Sequence, residues 1–256
     1  MNKVNIDGIN IAYERSGKGS PLILIHGYPL DHTIWKEVVS SLADNFDMII
    51  PDLRGFGESD VMEADDSIID YATDIAGLMN HFKIKKATIV GHSMGGYVAL
   101  AFAREFPERV SGFGMVSSQI AADTNERKEN RIATAKQVIE EGVRSVVDSM
   151  TPKLSEVGTI QDFVRSLISR QRPLGLYIAL NAMAQRPDST ELFSSFEYPT
   201  VIVHGNADAL IPVDRGREMK STLPTAHYVE LAGLGHMAMM ENPKGVADAL
   251  LSLVHV

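Results

Sequence analysis

The chain has 256 residues, 45% hydrophobic and 22% charged, a balance that suits a folded globular protein and argues against disordered and fibrous classes. Its formal net charge of −9, with no basic stripe, argues against nucleic acid or anionic lipid as a partner. The lack of cysteine removes disulfide frameworks, thiolate nucleophiles and thiolate metal sites together.

The start, Met1-Asn2-Lys3-Val4-Asn5, lacks the apolar stretch of a secretory signal, and no apolar run approaches the ~20 residues that span a bilayer. A cytoplasmic protein is the expectation. In chain order, short branched apolar runs at Leu22 to Ile25, Met48 to Ile50, Thr88 to Val90, Val110 to Val116 and Thr200 to Val203 read as buried strands. Between and after them, helical spacing covers Ile34 to Leu42, Ile68 to Phe82, Met94 to Phe106 and Pro243 to Leu253. Strands alternating with helices predict a mainly parallel sheet covered on both faces. From about Gln119 to Ser195 the alternation stops, and Ile132, Ala135, Val138 and Ile139 recur at helical intervals. This predicts one α/β domain formed by residues 1–118 and 196–256, interrupted by a helical insertion at 119–195. The mixed charges from Asn125 to Arg131 read as a solvated helix face.

Ligands of an open parallel sheet bind beyond the carboxyl ends of its strands, which directs attention to the loops there. Behind Thr88 to Val90 stands Gly91-His92-Ser93-Met94-Gly95-Gly96, a Gly-x-Ser-x-Gly segment between a strand and a helix. Such an elbow exposes a serine on a turn too tight for side chains at the flanking glycines, so Ser93 is the candidate nucleophile. Behind Leu22 to Ile25 stands His26-Gly27-Tyr28-Pro29. An acyl-transfer site needs two oxyanion donors, and the backbone N–H groups of Tyr28 and Met94 are the candidates. His26 reads as a loop-holding side chain.

Behind Thr200 to Val203, the segment His204-Gly205-Asn206-Ala207-Asp208 puts a carboxylate at the mouth of a late strand. Asp208 is the candidate acid, with Asp123 and Asp214 as alternatives. The base has to follow the acid, which leaves His227, His236 and His255. His236, on the glycine-rich loop Gly233-Leu234-Gly235-His236, is the candidate, because His227 falls in a strand and His255 in the tail. Met94, Met237, Met239 and Met240 gather around these loops, and Trp35, Phe56, Tyr177 and Met237 are candidates for the wall of an apolar pocket.

These segments in this order, with Asp52-Leu53-Arg54-Gly55-Phe56-Gly57-Glu58-Ser59 after an early strand, resemble the α/β-hydrolase superfamily. Within it the chain looks similar to lid-bearing carboxylesterases and 3-oxoadipate enol-lactonase-like hydrolases, with Ala182 to Asp188 resembling the end of their lids. The resemblance implies an eight-stranded-type sheet, a helical cap over the site, and a Ser93–Asp208–His236 triad that needs neither cofactor nor metal. It also implies that the Asp52 segment stabilises its loop. Serine at 93 argues against the dehalogenase and epoxide-hydrolase branches, whose nucleophile is aspartate. Gly55-Phe56-Gly57 lacks the third glycine of a dinucleotide fingerprint.

The expected activity is hydrolysis of small, apolar carboxylic esters through an acyl-enzyme. Lactonase, C–C bond hydrolase, amidase and perhydrolase chemistries use the same triad, and a ligand receptor on the same scaffold is the non-enzymatic alternative. The partner is a small ester or lactone, and the sequence does not specify an oligomeric state.

Overall fold

The first two strands pair through Asp7 and Gly8, both in the left-handed region at φ 48° and 96°. This computed structural model describes residues 1–61 and 66–254. An Asp-Gly pair tolerates positive φ at both central turn positions and so matches the twist of a two-residue hairpin. It joins β1 (Asn2–Ile6) antiparallel to β2 (Ile9–Gly17). There follow β3 (Ser20–Ile25), α1 (Lys36–Leu42), β4 (Phe46–Pro51), α2 (Ile68–His81), β5 (Ala87–His92), α3 (Met94–Glu105) and β6 (Val110–Val116).

The predicted insertion is helical throughout its regular elements: α4 (Asn125–Glu141), α5 (Arg144–Leu154), α6 (Gly158–Ile168), α7 (Pro173–Gln185) and α8 (Thr190–Ser194). Thr124 starts α4 by accepting a hydrogen bond from the Arg127 amide at 3.3 Å. Gly142 ends it at φ 76°, a conformation that costs glycine little. α4 packs along α7. The sheet then resumes with β7 (Thr200–Gly205), α9 (Asp214–Thr222), β8 (His227–Leu231), α10 (Ala238–Glu241) and α11 (Pro243–Leu251).

The strands form the single, mostly parallel sheet with helices on both faces that the sequence predicts. Its eight strands run in the order β1-β2-β4-β3-β5-β6-β7-β8. The pairs β1/β2 and β2/β4 are antiparallel; every pair from β4 to β8 is parallel. Every residue of β5 and β7 is buried, as two helix-covered faces require. The carboxyl ends of these parallel strands therefore share one edge, and the functional candidates lie there. Among the described residues, no helix is long and apolar enough to cross a membrane.

Candidate active site

Between β5 and α3 the chain turns on Ser93, whose backbone lies at φ 51° and ψ −116°. A non-glycine residue in such a conformation costs on the order of 1–3 kcal/mol and persists where its surroundings enforce it. Those surroundings are visible. A Cβ on Gly91 would run into the Gly95 carbonyl, and one on Gly95 would run into the carbonyls of Ile25 and His26. The Ser93 amide donates to Val116 O at 3.0 Å, and Ser118 Oγ donates to Ser93 O at 2.8 Å. Two neighbouring strand ends thus hold the turn, and the side chain opens into a cavity.

The amides of Tyr28 and Met94 donate to no protein acceptor among the described residues. Met94 opens α3, where the first amides of a helix have no intrahelical partner and the dipole favours negative charge. Tyr28 follows β3 in the loop beside the elbow. A Cβ on Gly27 would come within 2.9 Å of Ser93 Cβ and 2.7 Å of His92 Nδ1, so glycine permits the two loops to approach.

Asp208 and His236, 28 positions apart, meet through Oδ2 and Nδ1 at 2.7 Å. The other carboxylate oxygen of Asp208 accepts from the amides of Leu210 at 2.8 Å and Ile211 at 2.9 Å. Burial opposes ionisation of Asp208, but His236 and these amides outweigh it and hold the carboxyl below its ordinary value. Carboxylate on Nδ1 leaves Nε2 as the free nitrogen of a neutral imidazole. Ser93 Oγ makes no hydrogen bond to His236 in this conformation; such bonds often close only around a bound substrate.

Three more histidines surround the pair. His92 Nε2 meets the carbonyl of His236 at 3.0 Å, and the two rings lie 4.7 Å apart. His204 Nε2 meets Ile211 O at 2.9 Å and lies 3.6 Å from Asp208 Oδ2. His26 Nε2 accepts from the Leu53 amide at 2.9 Å, the loop-holding role expected of it. Burial lowers the pKa of His26, His92 and His204, His92 furthest, with the neighbouring His236 adding to its shift. These rings are neutral struts.

The alternative acids are engaged elsewhere. Asp123 lies between Arg131 at 2.5 Å and Arg186 at 2.9 Å, and Asp214 pairs with Arg217 on the surface at 3.2 Å. His227 opens β8 and meets Ser252; His255 lies outside the described residues. The Asp52 segment behaves as a loop brace: Asp52 accepts from the His32 and Glu58 amides, both at 2.9 Å, and meets His32 Nδ1 at 2.6 Å. Arg54 grips Asp74 with two bonds of 2.7 Å and Asp66 with a third of 2.8 Å. Among the described residues, Asp31, His32 and Asp52 bring three potential cation ligands within 4.8 Å of one another. These groups already bond within the loop: Asp31 accepts from the Thr33 amide at 3.0 Å, and Asp52 holds His32.

The cavity at Ser93 measures about 320 Å³. Its apolar wall includes Val146 and Met150 from α5 and Leu180 and Met183 from α7. The insertion also supplies Arg127 and Arg131 from α4 and Lys153 from α5. None of Trp35, Phe56, Tyr177 or Met237 lines this cavity. Trp35, Phe56 and Met237 are fully buried in the core, where large apolar side chains lose the most exposed surface. Phe56 instead packs edge-on to Tyr28 and His26, supporting the loop from behind. Tyr177 packs half-buried against the core. Met94 and Met239 are likewise core residues. The mixed lining departs from the expected apolar wall, because two turns of α4 present cations four residues apart on one face.

Comparison with known proteins agrees with this architecture. A family model for the alpha/beta hydrolase fold matches residues 20–140. A thermophilic esterase from Thermogutta terrifontis, solved with malate bound, is 37% identical, with all of both chains covered and a TM-score of 0.96. The enol-lactonase from Burkholderia xenovorans superposes with a TM-score of 0.90 at 21% identity, covering 98% of this chain and 99% of that one. An uncharacterized protein of Mycobacterium tuberculosis is 41% identical over 113 residues, which is 44% of this chain but only 33% of that protein. The chain thus matches about a third of the length of this curated relative. It belongs to the α/β-hydrolase family.

Proposed function

We propose that the chain is a serine hydrolase that cleaves carboxylic esters of small molecules through an acyl-enzyme. The observation that carries this reading is the Asp208–His236 contact of 2.7 Å beside a serine held at φ 51° and open to a cavity. His236 Nε2 takes the Ser93 proton as Oγ attacks the carbonyl carbon. The oxyanion rests on the Tyr28 and Met94 amides, and His236 returns the proton to the departing alcohol. Water repeats the sequence on the acyl-enzyme and frees the acid.

Residues 119–195 act in this reading as a cap over a catalytic core made of residues 1–118 and 196–256. The cap supplies much of the cavity wall, so it sets substrate choice, while the core supplies the chemistry. The esterase resemblance along the full chain supports ester cleavage over lactone opening, which the same residues would perform on a cyclic ester.

The test is a panel of short-chain esters and lactones turned over by the wild type and by Ser93→Ala. Ester turnover that falls at least ~1000-fold in the variant agrees with the proposal. Turnover that survives the substitution, or ligand binding without turnover in both proteins, refutes it.

A further inference from the structure

The protein as a whole is acidic, with 33 Asp and Glu against 24 Lys and Arg. The cavity that Ser93 opens into reverses that balance: Arg127, Arg131 and Lys153 line it, and no aspartate or glutamate does. Behind the wall a single carboxylate serves three guanidinium groups. Asp123 bonds Arg131 at 2.5 Å and Arg186 at 2.9 Å, and lies 3.9 Å from Arg127. Burial disfavours its charge, yet Arg186 and Arg131 keep it ionised below the ordinary carboxylate range. Asp188 acts on Arg186 as well, but two carboxylates still fall short of the three arginines and Lys153.

The geometry of Arg131 leaves it capacity for a ligand. It spends Nε on Asp123 and one terminal nitrogen on Met183 Sδ at 3.3 Å, while a guanidinium carries five N–H donors. Its side chain is 18% exposed, which is too enclosed for the freely solvated surface charge expected of a mixed-charge helix.

An independent feature points into the same space. The hydroxyl of Tyr28 is buried and has no hydrogen-bond partner among the described residues. Tyr28 is 6% exposed and lines the cavity together with Ser93 and Arg131. A buried hydroxyl without a partner is costly, so a site that holds one is suited to a ligand that satisfies it. The Arg131 charge acts on this phenol group, which places the two in one electrostatic environment.

We propose that the preferred substrates carry a carboxylate in addition to the ester that is cut, and that Arg127, Arg131 and Lys153 select it, with the Tyr28 hydroxyl donating to the same group. The proposal rests on the ester-hydrolase reading above and names its substrate class. A carboxylate accepts several charge-assisted hydrogen bonds at once, a demand that an arginine fork meets and a neutral polar group does not. The apolar residues of the wall then pack the chain linking the two ends of the substrate.

The test compares charged esters with neutral isosteres. Monomethyl glutarate carries the carboxylate on the acyl side and 4-acetoxybutanoate on the alcohol side; each is matched by the analogue with a methyl ketone in place of the carboxylate. For at least one pair, kcat/KM of the charged member exceeds that of its isostere by about tenfold or more, and the ratio contracts at high salt. In the double variant Arg127→Met/Lys153→Met, chosen because both side chains reach solvent and neither bonds Asp123 closely, the ratio falls toward one. A ratio near one for both pairs in the wild type overturns the charge inference and leaves the esterase reading standing.

Calorimetric titration with glutarate tests the inference without relying on turnover. Millimolar or tighter binding that weakens at least tenfold in the double variant supports it, even if no ester is cleaved and the esterase reading fails. Absence of binding to a protein that does cleave neutral esters refutes it, as does binding equal in both proteins.

Discussion

The amide of Gly235 donates to Glu241 Oε2 at 2.6 Å, immediately before His236 in the chain, while Glu241 Oε1 accepts from Ser155 Oγ at the same distance. Ser155 follows α5, which also carries Lys153 and Met150 into the cavity wall. One carboxylate thereby ties the loop of the candidate base to the helical insertion, so the positions of the two are coupled.

Replacing Glu241 with alanine removes both bonds. Hydrogen bonds to a charged group contribute ~1.5–3 kcal/mol each, so the alanine variant should melt several degrees lower and lose about tenfold in kcat. Glutamine should recover most of the activity, since Ser155 can rotate its hydroxyl to accept from the new amide. Thermal melts and kcat of the two variants check this; alanine with wild-type kcat would show that the tie does not position His236.

Asp208→Asn separates shape from charge. The asparagine oxygen can still accept from the amides of Leu210 and Ile211, and its NH2 group then faces His236 Nδ1. A donor there forces the proton onto Nε2, the nitrogen that has to accept from Ser93. Turnover should fall on the order of 1000- to 10,000-fold with the fold intact, as seen by circular dichroism. A loss below about tenfold would remove Asp208 from the triad.

Stability should depend on pH in a defined window. Burial holds the pKa values of His26, His92 and His204 in the folded protein below the ordinary imidazole value of about 6.5. Below pH 6.5 the unfolded chain binds protons that these rings refuse, so stability rises with pH and levels off above that value. Each ring contributes up to about 1.4 kcal/mol per pH unit inside the window. His32 works the other way, since Asp52 outweighs its burial and raises its pKa; its stabilisation is complete below 6.5 and is lost as pH climbs through the folded value. Three rings against one predict a melting temperature that increases from pH 5 to pH 7, with a shallower slope in His92→Asn. A flat profile would mean that these rings bind protons as readily in the folded chain as in the unfolded one.

The candidate site was legible in the sequence to the extent that its cues are local. The elbow tolerates only glycine at 91 and 95, and the candidate acid and base, Asp208 and His236, stand on loops that follow strands. The hairpin of β1 and β2 also carries a local signal, since Asp7-Gly8 flanked by alternating apolar residues marks such a turn. The cavity wall was not legible. Which faces of α4, α5 and α7 meet the site depends on how these helices pack on one another, and nothing in the spacing of Arg127 and Arg131 separates a solvated face from a binding one. For the same reason Trp35 and Phe56, conspicuous in the sequence, lie in the core.

The most direct measurement of the central claim is peptide mass mapping after treatment with a fluorophosphonate that phosphonylates activated serines. The account predicts a single adduct on Ser93, formed in step with loss of ester hydrolysis, slowed strongly in Asp208→Asn and absent in Ser93→Ala. An inactivated enzyme whose label sits on another residue, or full activity with Ser93 labelled, would contradict it.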